Sequence, residues 1–150
     1  MALLSLPKGN DLLYLDEDGY ILPHVSSQAI FDLPIISGAD SLMDLTAGHR
    51  TQQADVQAAL EALETAQRVS SELFHMISEV RIHSGHDMVL YSADNGIPII
   101  FGRGDAAKKM VKLDAFWKKF ITEQDLQDIR YIDVRFDDQV VVSSSAKKSS

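Results

Sequence analysis

The chain contains no cysteine. Disulfide scaffolds, thiolate zinc sites and cysteine nucleophiles are thereby excluded. Basic residues are in deficit: Lys and Arg number 14 against 22 Asp and Glu, a net charge of −8. Nucleic-acid binding rests on neutralising phosphates with Lys and Arg, and an anionic membrane surface makes the same demand, so both partners are disfavoured. No apolar run approaches the roughly 18–20 residues that span a bilayer. The opening stretch, Met1 to Pro7, lacks the basic n-region of a signal peptide. What is present is ordinary for one soluble domain: 150 residues, 45% apolar and 24% charged.

The residue pattern predicts strands first. Ala2 to Leu6 is a short apolar strand, followed by a Lys8-Gly9-Asn10 turn. Leu12 to Asp16 and Tyr20 to Leu22 form a hairpin through Glu17-Asp18-Gly19, since Asp-Gly between apolar runs favours a tight turn. Residues 24–50 carry little pattern apart from Leu33-Pro34-Ile35-Ile36, and read as irregular structure on the margin of the sheet. From Thr51 to Ser70 the period changes. Val56, Ala59, Leu60 and Leu63 make one face of an amphipathic helix, with Thr51 placed to cap it.

Strands return at Glu79 to His83, Met88 to Ser92 and Ile97 to Phe101, the last two joined by Asp94-Asn95-Gly96. Gly102-Arg103-Gly104-Asp105 opens a second helix with Met110, Leu113, Trp117 and Phe120 on its inner face and Lys108, Lys112 and Lys119 opposite. Tyr131 to Phe136 alternates, with Ile132, Val134 and Phe136 on one side, then turns at Asp137-Asp138 into a last strand, Gln139 to Val142. The expected fold class is α+β: a mostly antiparallel, hairpin-linked sheet with two amphipathic helices packed on it. Residues 1–142 form the expected domain, and 143–150 a low-complexity, disordered tail.

No constellation points to catalysis, a cofactor or a metal. The 5 histidines are scattered, and the nearest pair, His83 and His86, brackets a turn without metal-site spacing. Asp16-Glu17-Asp18-Gly19 lacks the twelve-residue ligand pattern of a calcium loop. Gly102-Arg103-Gly104-Asp105 has no phosphate-loop Lys-Ser/Thr. The expectation is a non-enzyme. A small sugar- or metal-binding hydrolase using Asp16, Asp18 or the His83–His86 turn is the less favoured alternative.

Three blocks together carry a resemblance. They are Leu15-Asp16-Glu17-Asp18-Gly19-Tyr20-Ile21-Leu22-Pro23, Phe101-Gly102-Arg103-Gly104-Asp105 before a helix, and Tyr131-Ile132-Asp133-Val134-Arg135-Phe136-Asp137. Their order resembles the extracytoplasmic β domain of the bacterial FtsQ/DivIB family of cell-division proteins, from about Leu3 to Val142. The resemblance implies a fragment of a single-pass protein. Family members carry a cytoplasmic tail, a transmembrane helix and a POTRA domain before this one. It also implies a place on the outer, periplasmic face of the cytoplasmic membrane.

The implied task is non-catalytic: binding of the bitopic division proteins FtsB and FtsL, with FtsB adding a strand to an exposed last strand of the β domain. An edge strand offers unpaired N–H and C=O groups that a foreign chain can complete. The implied partner-binding residues are Arg135, Phe136, Asp138, Gln139, Val140, Val141, Val142 and Ser143. Arg135 and Phe136 fall on the family's Arg-Tyr pair, with the Tyr hydroxyl missing. Asp138 and Gln139 stand where some relatives have Ser-Gly. The Arg that some relatives use against an acid of FtsB has no counterpart near Gly85-His86. The residues alone also allow Gln139 to Ser143 to be an ordinary interior strand. Another envelope-assembly partner on the same edge is the second alternative.

Overall fold

A computed structural model of the chain describes residues 2–5, 12–16, 18–21, 33–38, 54–82, 87–123 and 128–144. They form an α+β fold. Eight strands make one sheet: β1 (Ala2–Ser5), β2 (Leu12–Leu15), β3 (Ile35–Ser37), β4 (Ile77–Arg81), β5 (Met88–Ser92), β6 (Pro98–Gly102), β7 (Ile129–Asp133) and β8 (Val141–Ser144). The helices are α1 (Ala54–Val69), α2 (Ser71–Met76) and α3 (Ala106–Glu123). The strand order is β2-β1-β3-β4-β5-β6-β7-β8. The β1–β2, β4–β5, β5–β6 and β7–β8 ladders are antiparallel, while β1–β3, β3–β4 and β6–β7 are parallel.

The two parallel crossovers, β3 to β4 through α1 and α2 and β6 to β7 through α3, advance in the same direction along the sheet. A right-handed connection then puts their helices on the same face, and α1 does pack against α3. The core lies between these two layers. Val80, Leu90, Ile99 and Ile132 stand side by side across four strands by register, all 0% exposed. They meet Met110 and Leu113 of α3 and Val56, Ala59 and Leu63 of α1 in one cluster. The other face of the sheet is only half covered. There Arg81 sits 5.3 Å over the Tyr91 ring and 3.4 Å from Glu79, which accepts a hydrogen bond from Ser37.

The hairpin signals act as read. Asn95 and Gly96 take φ of 68° and 59°, as a type I′ turn requires. Ser92 locks this loop: its Oγ accepts from the Ile97 N–H at 2.9 Å. Asp16 organises the first hairpin, its Oδ1 accepting from the N–H groups of Asp18 and Tyr20, both at 2.9 Å. The chain then bridges Leu15 to Ile21. Thr51, expected as a helix cap, and the His83–His86 turn lie outside the described residues.

Four expectations need correction. Ile35–Ser37 is an interior strand between β1 and β4, not marginal irregular structure. Its partners are parallel and distant in sequence, so no turn signal announces it. Gly38 follows at φ +89°, where a Cβ would stand 2.1 Å from the Ile82 carbonyl oxygen, which only glycine avoids. Second, the described residues form three helices. The chain breaks at Ser70, in extended conformation, whose side chain caps α2 by accepting from the Leu73 N–H at 3.3 Å.

Third, the strand expected from Tyr131 to Phe136 is Ile129–Asp133, and Phe136 is 44% exposed rather than inward. Asp133 is buried despite its charge because Arg135 folds back on it. Fourth, the last strand runs Val141–Ser144, so Gln139 and Val140 precede it.

Candidate functional site

The C-terminal hairpin closes the sheet on one side. β8 pairs with β7 and, among the described residues, has no other neighbour in the strand order. Its register sets Val142 opposite Ile132, on the helix-covered face, and Val141 and Ser143 opposite Asp133 and Tyr131, on the open face. Val141, Val142 and Ser143 are all half-buried. The stretch from Gln139 to Ser143 carries no proline and no charge, so it lacks the residues with which monomeric proteins guard an edge.

Arg135 anchors the corner that feeds this strand. Its Nε and Nη2 donate to the two carboxylate oxygens of Asp133 at 2.9 and 2.6 Å, a bidentate pair. Its Nη1 donates to Asp87 Oδ2 at 2.7 Å, tying the corner to the start of β5. Its backbone N–H donates to Asp133 Oδ1 at 3.0 Å. These hydrogen bonds hold the Asp133 carboxyl below the usual carboxylate range, against the opposing effect of its burial. The same carboxylates favour the charged guanidinium of Arg135.

The Arg135 stem crosses directly over Gly102, where a Cβ would meet its Cγ at 3.0 Å and its Cδ at 3.3 Å. Gly102 has φ +73°, so it supplies both the space and the left-handed turn out of β6. Two of the blocks singled out in the sequence are therefore in contact. Lys109, one turn into α3, lies beneath them. Its Nζ donates to the Arg103 carbonyl at 3.1 Å and sits 5.2 Å from the Phe101 ring centre. Desolvation by burial is the main cause lowering its pKa. Lys112 donates to the Phe136 carbonyl.

Between the first turns of α3 and the Val134–Asp138 corner runs a groove of about 320 Å³. Val111 and Phe136, 57% and 44% exposed, offer apolar surface there, and Lys108 and Lys112 line it as well. Asp138 makes the turn at φ +60°. Asp105, Asp137 and Asp138 line it too, so the groove sets apolar surface among charges of both signs.

The structure thus gathers Arg135, Phe136, Asp138 and Val141 to Ser143 at one end of the sheet, with Gln139 and Val140 as the link between turn and strand. Asp16 and Asp18 lie at β2, the opposite edge, and the Asp16 carboxylate is engaged with its own turn. Sequence reasoning missed Asp87 and Lys109 as parts of the corner. Asp87 is 48 positions from Arg135, and no local pattern links them. Lys109 sits next to Lys108 of the solvated face, and its four-residue spacing to Leu113 of the apolar stripe is the sequence signal for its burial. Among the described residues no group of three or more His, Cys, Asp and Glu could hold a metal ion, and no helix is long and apolar enough to cross a membrane.

The architecture is that of a two-layer α+β domain whose C-terminal hairpin ends the sheet. The family model described as cell division protein FtsQ/DivIB, C-terminal, matches residues 6–135, and the chain belongs to that family. The matched stretch ends at the anchoring arginine, just before β8. The chain is similar to the cell division protein FtsQ of Geotalea daltonii, 24% identical over 131 residues, covering 87% of this chain and 46% of that protein. It is 25% identical over 146 residues to FtsQ of Rhodothermus marinus, covering 95% and 51%. With FtsQ of Salinibacter ruber it shares 26% over 145 residues, covering 93% and 54%. The chain spans about half the length of these curated relatives.

Proposed function

We propose that this chain is the non-catalytic scaffold domain of a bacterial cell-division protein, and that β8 receives a strand from a small bitopic partner of the FtsB or FtsL type. On this reading the domain works in septum assembly on the extracytoplasmic side of the cytoplasmic membrane, within a longer protein. The observation that carries it is the position of β8, which ends the sheet with no strand on its outer side among the described residues. Main-chain hydrogen bonds along that side supply affinity, and alternate side chains supply selectivity. The groove under Phe136 and Val111 favours a partner that offers an apolar residue among polar neighbours, since Lys108 on one side and Asp137 and Asp138 on the other border it. Arg135 acts from within: pinned by Asp133 and Asp87, it fixes the angle at which the chain enters β8.

Proline scanning tests this. Neighbouring residues in a strand direct their N–H groups to opposite sides. Of Val141→Pro and Val142→Pro, one removes a donor from the β7 ladder and the other from the free side. The free-side variant is expected to keep its thermal stability near that of the parent and to lose partner binding by tenfold or more, about 1.4 kcal/mol. Unchanged affinity for an FtsB-type segment in both variants would contradict strand addition at β8.

A further inference from the structure

The second sequence block, Phe101-Gly102-Arg103-Gly104-Asp105, is only partly accounted for by its glycines. The loop from Gly102 to Asp105 joins β6 to α3. Three of its residues, Gly102, Gly104 and Asp105, take left-handed backbone, at φ of 73°, 77° and 52°. L-residues rarely adopt this region, so Asp105 holds a conformation that its surroundings must enforce.

Arg103, the remaining residue of the loop, supplies the fixings. Its Nη1 donates to Asp55 Oδ1, in the first turn of α1, at 2.6 Å. The two side chains are 34% and 29% exposed, so the pair is partly shielded from solvent. The Arg103 carbonyl accepts from Lys109 Nζ of α3 at 3.1 Å. Both helices thus grip the loop at one residue. Gly102, next in the chain, passes the grip on. An added Cβ there would meet Arg135 Cγ at 3.0 Å and Lys109 Nζ at 3.4 Å, so both side chains close on it. A swing of the loop about Gly102 shifts the surface on which the Arg135 stem lies. It also takes the carbonyl acceptor from the Lys109 ammonium, which is buried and cannot go without one at no cost.

We infer that Arg103 is a positioning residue for β8: by tying the Gly102–Asp105 loop to α1, it keeps Gly102 seated under the Arg135 stem at the corner that feeds the strand. Its consequence for partner binding rests on strand addition at β8. Its consequence for the corner rests on these contacts alone.

The test reads Arg135 directly. In the intact 150-residue chain, the Nε–H of Arg135, which donates to Asp133 Oδ1 at 2.9 Å, gives an NMR signal assigned by its loss in Arg135→Ala. Arg103→Ala, Asp55→Ala and the double variant are compared for this signal and for affinity to an FtsB-type segment, with thermal unfolding to show that each is folded. Arg68→Ala, which removes the exposed pair with Glu64 on the same helix, is the control and is expected to change neither. Each single variant is expected to shift the Arg135 signal and to weaken binding about fivefold, and the double variant to do no more than either. An unmoved Arg135 signal, losses that add, or full affinity in a variant whose signal has shifted would each overturn the inference. A parent chain that does not bind the segment would sink strand addition instead, and the Arg135 signal would then decide the positioning by itself.

Discussion

Replacing Gly102 by alanine tests the corner that presents β8, and Gly104 provides the control. Both glycines hold left-handed backbone, at φ +73° and +77°. An L-residue there costs about 1–2 kcal/mol. At Gly104 that is the whole effect, because nothing lies within 4 Å of an added Cβ. At Gly102 the new methyl also meets Arg135 Cγ at 3.0 Å. A free arginine would move aside by a few tenths of an ångström, but this one is held by Asp133 and Asp87. Displacing it weakens charge-assisted hydrogen bonds worth about 1.5–3 kcal/mol each when fully made, and the 40% exposure of the Arg135 side chain reduces that share. Gly102→Ala is therefore expected to exceed Gly104→Ala by about 1 kcal/mol. Urea unfolding measures both, alone and in an Arg135→Ala background. With Arg135 truncated the excess should vanish, a coupling between the two positions. Equal losses in the parent background, or an excess that survives Arg135→Ala, would refute the argument that the arginine stem occupies this space.

Three further outcomes follow from the geometry. Asp133→Asn leaves a buried amide facing the guanidinium and should destabilise the domain by about 1.5–3 kcal/mol at neutral pH. Because the folded pKa of Asp133 is lowered, its contribution is complete above the unfolded value, about 3.9, and disappears as pH falls through the folded value; Asp133→Asn should flatten that part of the acid-unfolding profile. Ser70→Ala removes the cap on the Leu73 N–H and should cost about 1 kcal/mol in urea unfolding, with faster amide exchange in α2. Backbone amides on the free side of β8 should gain hydrogen-exchange protection when an FtsB-type segment binds, while those of β2 should not.

Much of the architecture was legible because its signals are local. The Met110, Leu113, Trp117 and Phe120 stripe is buried as its spacing requires, and Asn95-Gly96 forms the turn that its residues favour. The missed elements are those without a local period. α2 has 6 residues and β3 has 3, too few to show either helical or strand repetition. The face assignment for Tyr131 to Phe136 held for Ile132 and Val134 and failed at Phe136, because the strand ends at Asp133 and the alternation does not extend three residues beyond it. At the candidate site, Arg135 and Phe136 were visible as a motif. Their supports were not, since Gly102 and Asp87 reach them only through the sheet.

Among the described residues, the three residues of β3 carry the strand pairing between two parts of the sheet. Leu3 and Leu4 pair with Ile35 and Ile36 on one side, and Ile35, Ile36 and Ser37 with β4 on the other. The β1–β2 hairpin thus shares a seam of two register pairs with β3, backed by Ala2, Leu15 and Ile21 in the core and by Gln57 of α1 donating to the Asp18 carbonyl at 3.4 Å, whereas longer ladders join β4, β5 and β6. Under mild denaturation the amides of β1 and β2 are therefore expected to exchange before those of β4 to β6.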